Sequence, residues 1–273
     1  PLSMPVLCLQ ERRPAATFSS STFTRTGSVT YTVTYADENF LASTLTAANV
    51  ALNKTGTADG TIAVSGSGTS RTVTLSGITG NGTLSISIAS GIATDQAGNL
   101  APGAGPSASF AVDNIPPVVT ISPPSTNITA GGSVRYTVSY TDANFQLSTL
   151  TAGQVTLNKT GTASGTVVSV SGSGATRTVT ISGITGDGSL GISIAAGSAT
   201  DKAGNSAGAA GPSASFTVDN TAPAVTISAP STTITASSAV SYTVSYADVN
   251  FEASTPSASN VTLNKTGTAN GTM

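Results

Sequence analysis

The 273-residue chain contains no histidine, no tryptophan and a single cysteine, Cys8, and only 8% of its residues are charged. Without an imidazole there is no nitrogen ligand or base for zinc or Ser-His-Asp chemistry, and one thiol cannot form a disulfide within the chain. Ten Lys and Arg against 12 Asp and Glu leave a net charge of −2. Basic residues this sparse make neither a phosphate-binding stripe nor a polybasic membrane patch, so nucleic acid is excluded as an expected partner. No apolar run reaches the roughly 18 residues a bilayer span needs, and the basic leader lacks the apolar stretch of a signal peptide. Membrane insertion by these residues is not expected, and a secretion signal would have to lie outside them.

What the chain does have is one long sentence written almost three times. Tyr-Thr-Val-Thr-Tyr-Ala-Asp-Glu-Asn-Phe from Tyr31 returns as Tyr-Thr-Val-Ser-Tyr-Thr-Asp-Ala-Asn-Phe from Tyr136 and as Tyr-Thr-Val-Ser-Tyr-Ala-Asp-Val-Asn-Phe from Tyr242. Steps of 105 and 106 residues match a small domain rather than a solenoid turn. Leu-Asn-Lys-Thr-Gly-Thr begins at Leu52, Leu157 and Leu263, Thr-Asp-x-Ala-Gly-Asn at Thr94 and Thr200, and Val-Asp-Asn at Val112 and Val218. The expected division is an aberrant, disordered leader with a degraded first strand at 1–27, repeats at 28–114 and 115–220, and a truncated third repeat at 221–273. Arg12, Arg13 and Pro14 stand in the leader where an apolar strand should begin.

Hydrophobic residues make up 38% of the chain, enough for each full repeat to bury a modest core. Alternation with period two dominates the second copy. Val134, Tyr136, Val138 and Tyr140 fall on one face and Arg135, Thr137 and Ser139 on the other, as a half-buried antiparallel strand requires. Seven strands are predicted near 117–122, 133–141, 154–160, 165–171, 176–184, 188–195 and 213–219, separated by Gly, Ser, Pro and Asp clusters. Parity nominates Val119, Ile121, Val155, Leu157, Val179, Ile181, Leu190, Ile192, Ile194, Phe216 and Val218 as core. Seven short strands in about 100 residues imply an all-β fold of tandem immunoglobulin-like seven-stranded Greek-key β-sandwiches, two complete and one truncated.

The ending Thr200-Asp201-Lys202-Ala203-Gly204-Asn205, then Phe216-Thr217-Val218-Asp219-Asn220-Thr221-Ala222-Pro223 and Val225-Thr226-Ile227-Ser228, resembles the bacterial immunoglobulin-like repeats of large surface adhesins. The resemblance covers residues 28–273. It implies a secreted or cell-surface array, extracellular, whose sandwiches act as spacers or binding modules, and it leaves the ligand open.

The same topology puts the connections after the second and sixth strands at one pole of the sandwich, where the chain arrives. Asp142 and Asn144 follow the second strand, Asp201 and Asn205 sit in the later loop, and the incoming linker supplies Asp113 and Asn114. Three carboxylates and several amide oxygens, with no nitrogen or sulfur ligand, suit calcium. The alternative is that these Asp and Asn residues simply end strands and make turns through their own hydrogen bonds. Lys54, Lys159 and Lys265 share the parity of core positions, which raises either a Lys–Asn crosslink or a lysine whose stem packs while its ammonium reaches water. The leading functional expectation is a non-catalytic spacer or stalk in an adhesin-like protein. The alternatives are repeats that bind glycan or protein themselves, or accessory domains of a larger extracellular enzyme.

Overall fold

A computed structural model describes residues 13–19, 23–24, 27–236 and 238–273. The described chain is nearly all β, in several sheets, with three single-turn 3-10 segments and no α-helix, consistent with immunoglobulin-like sandwiches. In the second repeat one sheet runs in the order Val118–Ile121, Val134–Thr141, Thr176–Thr185, Ser164–Ser171. The other runs Ile128–Thr129, Phe216–Val218, Gly188–Ile194, Val155–Gly161. Alternation fixes which side faces inward: Val134 lies opposite Ile181 and Tyr136 opposite Val179, and all four are buried between the sheets with Leu190, Ile192 and Phe216. A phenol placed so deeply needs a partner. The Tyr136 hydroxyl finds one in the Ala214 carbonyl at 2.9 Å.

The first repeat has the same plan. Ala15–Ser19, Val29–Ala36, Ser70–Thr79 and Asp59–Ser67 form one sheet; Phe23–Thr24, Phe110–Val112, Gly82–Ile88 and Val50–Lys54 form the other. Tyr31, Val73, Leu75, Leu84, Ile86 and Phe110 fill a second buried cluster that shares no residue with the first. In both repeats a guanidinium inside the strand pairing binds carbonyls of a neighbouring segment. Arg71 donates to the Ser43 and Leu45 carbonyls at 3.0 and 2.6 Å, and Arg177 to those of Ser148 and Leu150 at 3.1 and 3.0 Å.

Two features go beyond the expected elements. Each repeat contains short strands beyond the predicted set: Ile128–Thr129, Phe145–Ser148 and Ala199–Asp201 in the second, where Phe145–Ser148 pairs with Ala199–Asp201 around a bulge. Segments of two to four residues are too brief for a period to show. The leader, moreover, is not wholly outside the fold. Ala15–Ser19 pairs antiparallel with Thr32–Ala36, and Ala16 and Phe18 pack on the first core. Arg12 and Cys8 lie outside the described residues. Among the predicted core residues, Val119, Ile121, Val155 and Leu157 are only partly buried because their strands lie at sheet edges.

Residues 221–273 form two paired strands, Ala224–Ile227 and Val244–Ala247, with most side chains exposed. Truncating Ile181, at 0% exposure, to alanine is expected to cost about 2–5 kcal/mol. Denaturant unfolding followed by amide exchange should place that loss on the second repeat's core and leave protection at Leu84 and Ile86 unchanged.

Candidate functional site

The linker Asp113-Asn114-Ile115-Pro116-Pro117 is held from both sides. Proline at 116 and 117 fixes two φ angles and biases Ile115 toward extended backbone. The Ile115 N–H closes an Asx turn on Asp113 Oδ1 at 3.0 Å. Ahead of the prolines, Asn114 turns back to the first repeat: its N–H donates to Asn81 Oδ1 at 2.7 Å and its side-chain amide to the Gly80 carbonyl at 2.7 Å. Asp113 turns forward to the second. Its Oδ2 accepts from the Asn144 side-chain amide at 2.6 Å, and its carbonyl accepts from the Asn205 side-chain amide at 2.9 Å.

Each of these partners is itself set by local turn chemistry. The Asn144 N–H caps Asp142 Oδ1 at 2.7 Å immediately after the Val134–Thr141 strand. Asp201 ends its strand and accepts both the Asn205 N–H, at 2.8 Å on Oδ1, and the Asn205 side-chain amide, at 2.6 Å on Oδ2. The Lys202 N–H to the Asn144 carbonyl at 2.8 Å ties the two loops together.

The pole therefore gathers what the sequence pointed to, with one exception. Asp113, Asp142 and Asp201 each present a carboxylate oxygen within 4.8 Å of the others. Asp201 is 0% exposed, Asn205 4% and Asp113 6%, while Asp142 is half-buried. Asn144 and Asn205 stand among these carboxylates and supply N–H donors to them. Asn114, nominated as a sixth ligand, belongs to the opposite side of the joint, its amide nitrogen committed to Gly80.

Sequence reasoning missed the other half of the clamp, the turn Gly80-Asn81-Gly82 and its counterpart Gly186-Asp187-Gly188. Gly80 and Gly82 have φ of +74° and +144°, and a Cβ on either would run into the Thr57 or Thr55 carbonyl of the adjoining segment. The sequence signal was present: a polar residue between two glycines, recurring at a spacing of 106 residues. At the second linker the same bonds form, from the Asn220 N–H to Asp187 Oδ1 at 2.6 Å, from its side chain to the Gly186 carbonyl at 2.6 Å, and from Asn250 to Asp219 Oδ2 at 2.7 Å. Among the described residues, no three carboxylates at this linker come within 4.8 Å of one another.

The lysines take the solvent-reaching alternative. Lys54 pairs with Asp59 at 3.0 Å with both side chains about half exposed (48% and 54%), and Lys159 is exposed.

No family model matches the sequence, and no curated protein matches it. Among solved structures, the chain is similar to FdeC, a broadly conserved Escherichia coli adhesin, at 19% identity over 86% of this chain and 73% of that one, with a TM-score of 0.37. It is also similar to the titin domains Z1Z2 in complex with telethonin, at 16% identity over 76% and 97% with a TM-score of 0.27. The Yersinia pseudotuberculosis adhesin InvE matches at 16% identity over 75% of this chain and 58% of its own, with a TM-score of 0.25. No helix among the described residues is long and apolar enough to cross a membrane.

Asn144→Ala removes the 2.6 Å donor of a buried carboxylate and is expected to weaken the joint by about 1–3 kcal/mol. Faster exchange of the Ile115 amide, with both cores still protected, checks it. A second outcome concerns acid. In the first repeat the Asn99 side-chain amide, opposed by burial and helped by the Asn99, Ala97 and Gly98 N–H groups, holds the Asp95 carboxyl below its ordinary value of 3.8. A depressed folded pKa contributes stability that is complete above that ordinary value and is lost as pH falls through the lower folded one. Unfolding midpoints of the first repeat should therefore fall as pH drops below about 4, and Asp95→Asn should flatten that part of the profile.

Proposed function

We propose that this chain is a non-catalytic run of tandem immunoglobulin-like sandwiches, divided as 28–114, 115–220 and 221–273. It serves as a spacer or stalk in a bacterial cell-surface or secreted adhesin-like protein. The observation that carries this reading is the two-sided clamp at Asp113 and Asn114 and its repetition at Asp219 and Asn220. A linker bonded to the unit behind it and the unit ahead resists bending in a way that a solvated tether does not. Each sandwich resists extension through its own inter-strand hydrogen bonds, so reach and stiffness come from the same chemistry. The Ala15–Ser19 strand extends the folded part of the first unit a short way into the leader.

Calcium fits the first junction as a stiffening ligand. Oxygens in one calcium shell sit about 2.3–2.6 Å from the ion, so any two lie at most about 5 Å apart. The three carboxylates, within 4.8 Å of one another, meet that limit without rearrangement of the loops. Asp113, Asp142 and Asp201 would hold the ion, and it would supply the positive charge that three neighbouring carboxylates otherwise take from N–H donors. The amide oxygens of Asn144 and Asn205 complete an oxygen-only donor set when those side chains turn over.

Thermal melting of the chain in calcium and in chelator, with small-angle scattering under both conditions, tests the metal. Calcium should raise the midpoint and leave the longest dimension of the particle unchanged or greater. Asp113→Ala and Asp201→Ala should each abolish the calcium shift while both cores stay folded. Equal midpoints and equal scattering in the two conditions would remove calcium from the account and leave the hydrogen-bonded clamp in place.

A further inference from the structure

The turn that holds the first linker differs in one functional group from the turn that holds the second. At Gly80-Asn81-Gly82 the central side chain is an amide, whereas at Gly186-Asp187-Gly188 it is a carboxylate. Both make the same bond: Asn81 Oδ1 accepts the Asn114 N–H at 2.7 Å, and Asp187 Oδ1 accepts the Asn220 N–H at 2.6 Å. The turn therefore accommodates either side chain. An asparagine followed by glycine is open to attack by its own main chain, because no Cβ on the second residue shields the nitrogen that would add to the side-chain amide. At Asn81 the surroundings favour that attack. The Asn114 N–H on Oδ1 draws electron density from Cγ and stands ready to share the negative charge of a tetrahedral intermediate. The leaving nitrogen, Nδ2, has no hydrogen-bond partner among the described residues. Asn81 is half-buried and lines a cleft of about 300 Å³ shared with Asp113, Asp142 and Asn144, through which water reaches it.

We propose that Asn81 is a self-modification site, where the first joint loses an amide and gains a carboxylate. The Gly82 nitrogen gives its proton to solvent base and bonds to Asn81 Cγ; the Cγ–Nδ2 bond breaks, and the nitrogen leaves as ammonia with a proton from solvent. Water then opens the five-membered imide. Addition at Cγ gives aspartate, and addition at the main-chain carbonyl carbon gives isoaspartate. One water is consumed and one ammonia released, with no oxidation or reduction. The two products act differently on the joint. Aspartate reproduces the second turn, so the bond from the Asn114 N–H is kept and becomes charge-assisted. It also adds a carboxylate to the cleft that Asp113 and Asp142 line. Isoaspartate lengthens the main chain by one carbon at a residue fixed on both sides to Thr57, through the Asn81 N–H to Thr57 Oγ1 at 3.0 Å and the Thr57 N–H to the Asn81 carbonyl at 2.9 Å. Gly82 beside it leaves no slack, since even a Cβ there would meet the Thr55 carbonyl. That product releases the Asn114 clamp. Asp187 is spared on the same time scale, because an ionised carboxylate is a poorer acyl donor than an amide. This chemistry rests on the clamp alone and is independent of calcium.

The test incubates the 273-residue chain and a synthetic peptide spanning residues 78–84 side by side, at about pH 7 and about pH 9. Peptide mass mapping follows the exchange of amide for carboxyl, and enzymatic methylation specific for isoaspartate separates the two products. In the folded chain Asn81 should convert no more than about tenfold slower than in the peptide. It should convert at least about tenfold faster at the higher pH, because the attacking nitrogen must lose its proton. Asn158, which precedes Lys159, should stay unmodified. Chains carrying isoaspartate should exchange the Asn114 amide faster, whereas the variant Asn81→Asp should keep it as protected as in the unmodified chain. Conversion slower than that limit, conversion independent of pH, or loss of Asn114 protection in Asn81→Asp would overturn the proposal. The readouts are separate from the melting in calcium and chelator, so a failure here leaves the spacer reading standing, and the reverse also holds.

Discussion

The structure between repeats depends on what the Asp113 peptide unit does with its two oxygen-bearing groups. The carbonyl and the carboxylate both point into the second repeat and are met there by side-chain amides of Asn205 and Asn144. The next residue sends its N–H and its side chain the other way, to the turn at Gly80 and Asn81. Two consecutive residues thus satisfy both neighbours, and neither bond set can be kept if the joint swings, since a buried acceptor left without its donor costs about 1–3 kcal/mol. The prolines that follow add stiffness of a different kind, by removing backbone freedom rather than by adding contacts.

Behind the clamp, each repeat has to present its pole loops in fixed positions without a disulfide or tryptophan, on a small core. Tight complementary packing of Val, Ile, Leu, Tyr and Phe between two four-stranded sheets does most of this. The half-buried arginines do the rest: Arg177 reaches from its strand to the carbonyls of Ser148 and Leu150, anchoring the segment that runs from the Asp142 loop toward the next strand. The Phe145 ring stacks on Tyr140 with centroids 6.1 Å apart, closing the same end of the sandwich beside Asn144. The low charge of the chain is compatible with this plan because the joints use short polar side chains and backbone groups, not ion pairs.

How much of this was legible in sequence follows from scale. Strands of seven to ten residues announced themselves, because period two over several residues separates Tyr136 and Val138 from Thr137 and Ser139 without ambiguity. Phe145–Ser148 and Ala199–Asp201 could not, since no period is visible in three or four residues and their pairing is decided by loops far apart in the chain. Ala15–Ser19 was hidden by its composition: only Ala16 and Phe18 face inward, and the basic residues before it suggested disruption. At the pole, topology alone predicted that Asp113, Asp142 and Asp201 would meet. It could not say which way Asn114 faces, because an asparagine in a linker has equal chemistry for either neighbour, and the choice is made by the left-handed glycines around Asn81.

The first repeat separates what belongs to the loop from what belongs to the joint. There Asp95 and Asn99 make the same bonds as Asp201 and Asn205, side-chain amide to Oδ2 at 2.8 Å and N–H to Oδ1 at 2.8 Å. Asp95 belongs to no group of three neighbouring carboxylates among the described residues. The Asp-x-Ala-Gly-Asn loop therefore closes through the same internal hydrogen bonds in both repeats. What the junction adds is a second use for the same asparagine: one Asn205 amide hydrogen stays within the loop and the other reaches the Asp113 carbonyl. Of the three carboxylates gathered at this pole, Asp142 and Asp201 belong to loops of the second repeat and Asp113 alone arrives with the linker, so their meeting is a feature of the junction rather than of the loop.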